Sequence, residues 1–219
     1  MVSLRPNRLF HHRLAGPLVA VEHNLLKEPH VKVKPSSLLH SVAEHYHHDA
    51  SDFVDRFDVL WESQTHKTGR IKTFVDLLMG CECELKAHAI LSRLQDDAVE
   101  TYKAVRAAGH RIDRIAEMAK FMKDRTHYDF LKENLLGLSV FVRYSLDAYG
   151  TFFPFDYDDA EINYSKTIGN NLWVLKIRDH LRQMINASND EFTGMVSNDI
   201  SECFALEEQM THFMKKIRN

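Results

Sequence analysis

Residues 74–94 read FVDLLMGCECELKAHAILSRL, an apolar stretch with Glu82, Glu84, Lys86 and His88 set in strict alternation at its centre. Alternation taken alone predicts a strand, but 21 residues without a turn signal exceed what a strand needs. At ~100° per residue the stretch resolves into two apolar stripes instead. Phe74, Leu78, Cys81, Leu85 and Ser92 form one, and Met79, Cys83, Ile90 and Leu94 form the other on the opposite side. A helix apolar nearly all round belongs at the centre of a bundle. Its charges then have to be paired, because an isolated buried charge is too costly. Glu82 with Lys86, and Glu84 with His88, are spaced i,i+4 and can pair along one helix.

The rest of the chain predicts more helices around this one. Eight glycines and five prolines in 219 residues leave few turns, so the elements should be long and the fold all-α, a bundle of about six to seven helices. Four of the prolines (Pro6, Pro17, Pro29 and Pro35) fall in residues 1–35, which predicts an irregular N-terminal arm ahead of a single helical domain at 36–219. Ser36 or Ser37 caps a first helix that ends near Gly69, and the central helix spans about 71–95. Asp96 and Asp97 start a third helix, stopped by Gly109. A short fourth helix covers RIDRIAEMAKFM, and a fifth runs over about 126–149. After a proline-centred loop, Asp158 and Asp159 start a sixth that reaches about Asn186. Ser188 or Asn189 caps the last.

Several classes of function are set aside at this point. A net charge of -3 gives no global field toward nucleic acid or membrane, though local patches remain open. Cys81, Cys83 and Cys203 are an odd set without zinc spacing and read as free thiols in a reducing compartment. No apolar run approaches the ~20 residues of a membrane span, and the N-terminal apolar patch LAGPLVAV contains Pro17, so the expectation is a cytoplasmic protein. Ser139 has no His and Asp partners at readable spacing and gives no hydrolase signal.

Three short motifs carry a family resemblance. Glu82 and Lys86 stand four apart within LLMGCECELKAHAIL. Gly109 and His110 open RIDRIAEM with its spaced aliphatics. Arg143 and Tyr144 lie in FVRYSLDAY. In this order the chain resembles HEPN domains, helical bundles that bind nucleotides, over about residues 50–186. The resemblance implies a homodimer that binds a nucleotide, an RNA or a partner protein, as in toxin–antitoxin or defence-type systems, with no cofactor. It marks Glu82, Lys86, His110, Arg143 and Tyr144 as the polar or ligand-binding cluster, with Arg143 expected to find its acid in Glu82.

Members of that family that cut RNA carry an Arg, four to six residues, then His. The His moves the proton of the ribose 2′-OH or the leaving oxygen, and the Arg holds the phosphate in its charged transition state. Here Arg106 and His110 stand closer than that, as do Arg125 with His127 and Arg178 with His180. Arg5 with His11 or His12 fits only within the arm. The helical core therefore favours a binding bundle over an enzyme, and a ribonuclease with a degenerate Arg/His motif is the catalytic form of the same reading.

A second reading comes from the 14 histidines. Glu44 and His47 in EHYH have the Glu-x-x-His spacing of di-iron helical bundles. With Glu84 and His88, and with Glu208 and His212 on the last helix, they would form a ferritin-like metal enzyme. The competing expectation for HYHHD is a solvated face, because Asp49 and Asp52 follow at once.

Overall fold

The structure is a computed structural model that describes residues 33–34, 37–153 and 162–218. All of these belong to one unit, Val31–Asn219. The expected arm lies outside the described residues except for Val33 and Lys34, and so do Asp158 and Asp159. Among the described residues the chain forms eight α-helices and no strand, as the low glycine and proline content predicts. The nearest thing to a sheet is an isolated parallel bridge between Val33 and Met195.

Helix α1, Leu38–Trp61, starts where the Ser37 side chain accepts a hydrogen bond from the His40 amide. It ends earlier than the sequence suggests, and Gly69 falls in the first turn of α2, Lys67–Leu91. Helix α2 is the axis of the fold: nearly every residue from Ile71 to Leu91 is buried. It packs most closely on α1. At Gly80 a Cβ would lie 3.0 Å from Leu181 Cδ2 and 3.3 Å from the Ala50 carbonyl oxygen, so glycine lets three helices meet there.

Asp97 caps α3, Ala98–Ala107, by accepting from the Glu100 amide, and Gly109 follows with φ 61°. Helix α4 covers Ile112–Met118. Its last carbonyls are satisfied from outside, by Arg125 donating to Ala116 and Ala119.

Two sequence expectations fail in the second half. The fifth helix is not continuous over 126–149. It is α5, Thr126–Asn134, then a 3-10 turn at Val140–Arg143, then α6, Ser145–Phe152. Gly137 takes φ 80° and Ser139 is extended with its hydroxyl capping Phe141, so local backbone chemistry breaks a continuous apolar pattern. The sixth expected helix starts later, as α7, Asn171–Phe192, where the Asn170 side chain accepts from two amides. Ser188 and Asn189 therefore lie inside α7 rather than capping α8, Ile200–Arg218.

Two apolar cores share α2. The larger gathers Phe57, Phe74, Leu78, Leu85, Tyr128, Leu131 and Leu181 with their neighbours. The smaller holds Leu39, Val42, Ile90, Val105, Phe192 and Phe213. Lys86, Ala87 and His88 fall between the last α2 residue of the first core and the first of the second. Lys86 and His88 thus stand where one core gives way to the other, while Glu82 and Glu84 lie among residues of the larger core.

Candidate functional site

Glu82 is 2% exposed and Lys86 is 8% exposed, as the two-stripe reading requires. Lys86 Nζ donates to Glu82 Oε1 at 2.6 Å, one helical turn away. The second carboxylate oxygen looks outward. It accepts from His110 Nδ1 at 2.8 Å, across 28 residues of chain. The turn at Gly109 delivers His110 to that position after α3 ends. A carboxylate can only accept, so Glu82 holds the proton of His110 on Nδ1 and leaves Nε2 without one in the neutral ring.

About half of the His110 side chain is exposed, and it lines a cleft of about 460 Å³ with Arg111, Asp113, Ser139 and Phe141. Phe141 meets the imidazole edge-on at 6.3 Å. Arg111 pairs with Asp113 at the rim at 2.7 Å. A buried acid, an oriented half-exposed histidine and an arginine beside it are the parts that proton transfer near a bound anion needs.

Arg143 and Tyr144 do not join this cluster. Both are exposed, and Arg143 donates to the Tyr144 hydroxyl and covers its ring. The expected Arg143–Glu82 pair fails because the segment is a 3-10 turn rather than a helix face, which leaves the guanidinium in water. His110 takes the place at Glu82 instead.

A second polar cluster lies on the same helix, deeper in. Glu84 is 0% exposed. It accepts from the Ser188 hydroxyl at 2.6 Å and from His47 Nδ1 at 3.2 Å. His88 Nε2 lies 3.0 Å from it, off the straight line of a hydrogen bond. Tyr128 donates to His88 Nδ1 at 2.7 Å and accepts from the Met122 amide. Burial is the largest single influence on Glu84 and pushes its pKa up. The His47 hydrogen bond and the nearness of both His47 and His88 together outweigh it and hold the carboxyl down at about 2.

These three residue types mimic a Ser-His-acid triad, but Ser188 and Glu84 both face the same ring nitrogen of His47. No proton can pass through the ring between them, so the cluster is structural.

The solvated-face expectation for HYHHD holds for His45 and His48 and fails for His47, which turns into the core against Phe192 at 4.6 Å. The six-residue metal set is not assembled. Glu44 pairs with Lys34 at 2.5 Å, and Glu208 and His212 line a separate pocket with α3. Among the described residues no group of three or more His, Cys, Asp or Glu could hold a metal ion.

No family model, characterised protein or solved structure matches this chain. The site is therefore read from its own geometry. Its thiols take no part: burial raises both Cys81 and Cys83, the latter to about 12 with help from the Glu82 charge. Ser188 and Tyr128 are the residues that sequence reasoning missed. Neither has a local signal, since each reaches α2 from a helix distant in the chain.

Proposed function

We propose that this chain is a non-catalytic, HEPN-like, homodimeric helical bundle of a toxin–antitoxin or defence-type system that binds a nucleotide, an RNA or a partner protein, with the phosphate of a nucleotide or RNA seated at the His110 cleft. The observation that carries the reading is the 2.8 Å bond from half-exposed His110 to buried Glu82. An acid held inside the bundle by Lys86 serves no surface pairing; it sets the tautomer and aim of one histidine over a cleft. Arg111, paired with Asp113, stands on the same wall, and a bound phosphate would compete with Asp113 for its guanidinium.

Fluorescence anisotropy with a labelled single-stranded RNA and with a labelled nucleotide tests this at low salt. His110→Ala and Arg111→Ala should each weaken binding of one of these ligands about tenfold or more. Equal affinity in wild type and both variants removes the reading.

The Glu82–His110 pair favours one second reading, metal-independent RNA cleavage. His110 Nε2 would take the proton of a ribose 2′-OH as that oxygen bonds to the adjacent phosphorus, while the P–O5′ bond breaks and the 5′-oxygen leaves with a proton from water, giving a 2′,3′-cyclic phosphate and a 5′-hydroxyl. Cleavage that survives chelator and is lost in both His110→Ala and Glu82→Gln supports it.

A further inference from the structure

Helices α5 and α7 bring together a histidine pair unused by either polar cluster. His127 Nδ1 and His180 Nδ1 lie 3.0 Å apart. Both rings are half-buried. Their backbones are fixed, because Tyr128 and Leu131 anchor α5 in the core and Ile177 and Leu181 anchor α7. The ring of Phe130, one turn after His127, lies flat on His180 at 3.8 Å with 4° between the planes. This stacking sets the imidazole plane before any ligand arrives.

We propose that His127 and His180 form a two-histidine site for a divalent transition-metal ion of tetragonal preference, Cu(II) above all. Imidazole–metal bonds run to roughly 2.0–2.1 Å. Two such bonds to nitrogens 3.0 Å apart enclose an angle of roughly 90–100° at the ion. That is the cis angle of square-planar and octahedral ions, whereas a tetrahedral ion would spread the nitrogens to about 3.3–3.4 Å. Among divalent ions of that preference, Cu(II) binds nitrogen ligands most tightly.

The neighbouring carboxylates are otherwise engaged: Asp124 caps Thr126, Asp129 pairs with Arg125 and Asp179 pairs with Arg178. Water completes the coordination sphere, so the site is open and the ion exchangeable. The proposal does not rest on the HEPN-like reading.

The test is titration of the purified full-length protein with CuCl2 in a non-coordinating sulfonate buffer without amine or imidazole ligands. The readouts are the visible d–d absorption band and the nitrogen splitting in electron paramagnetic resonance. One equivalent should bind ahead of the others with two-nitrogen splitting. His127→Ala and His180→Ala should each lose it, with affinity down about tenfold or more. The double variant His45→Ala/His48→Ala, which removes exposed histidines of α1, should keep it. His127→Gln guards against a folding defect, since it keeps size and polarity; it too should lose the ion with an unchanged circular dichroism spectrum. Binding that survives His127→Ala and His180→Ala, or that disappears with His45 and His48, overturns the site. A melting temperature lowered by His127→Ala with no copper bound to wild type shows a simple imidazole–imidazole hydrogen bond and overturns it equally.

Discussion

Glu84 is a fully buried carboxylate whose ionised form the fold prefers. Its pKa is held at about 2 against an ordinary 4.5. A group whose folded pKa is depressed stabilises above its unfolded pKa, and that stabilisation drains away as pH falls through the folded value. The window is therefore about pH 4.5 down to about 2, with on the order of 3 kcal/mol at stake. Urea unfolding at stepped pH should show wild type losing stability through that window, and Glu84→Gln should show a flatter profile from a lower neutral-pH value. Parallel profiles would mean that the buried charge is not what the two histidines hold. The Glu82 pair allows a second measurement. Lys86→Met leaves Glu82 with His110 as its remaining partner and should cost about 1.5–3 kcal/mol. Glu82→Gln added to Lys86→Met should recover part of that loss, since it removes the half-paired charge. Purely additive losses in denaturant melts would show the two residues to be uncoupled.

At the scale of elements, α2 carries two glycines that answer the same substitution in opposite ways. Alanine is the better helix former by about 1 kcal/mol. At Gly69, in the first turn, the new Cβ meets only the end of the Gln64 side chain, which can swing away. Gly69→Ala should therefore stabilise by about 0.5–1 kcal/mol. At Gly80 the new Cβ meets the Ala50 carbonyl and Leu181, and a backbone cannot swing away. Overpacking there costs about 1–3 kcal/mol and exceeds the helical gain. Thermal melts should move up for Gly69→Ala and down for Gly80→Ala. A shift of the same sign in both would mean that helix propensity, not helix contact, governs α2.

For the whole molecule, the expected state is a homodimer. Leu136, Phe141, Tyr144 and Leu146 leave large apolar side chains exposed around the break between α5 and α6. Exposed apolar side chains of this kind are what a subunit interface would cover. A two-fold dimer is the commonest way to cover them. Light scattering at micromolar concentration should give twice the 25.5 kDa chain mass, and a monomer there counts against it.

The central helix, its burial and its i,i+4 pairs could be read from residues 74–94, because apolar periodicity and the cost of an unpaired charge are both local. The caps at Ser37 and Asp97 and the left-handed Gly109 were legible for the same reason. The continuity of the fifth helix was not, since Gly137 and Ser139 each carry only a weak local bias that the flanking apolar pattern hides. Nor could the chain tell which residue faces Glu82. The chemistry of the chain favoured Arg143, and the outcome fell to the turn at Gly109, which swings His110 onto α2, and to the 3-10 turn that leaves Arg143 in water. The sequence by itself determined that α2 would be central and its charges paired. Only the packing of α1, α4, α5 and α7 around it decided the partners, because a side chain on one helix meets another across dozens of residues through backbone geometry that no local pattern records.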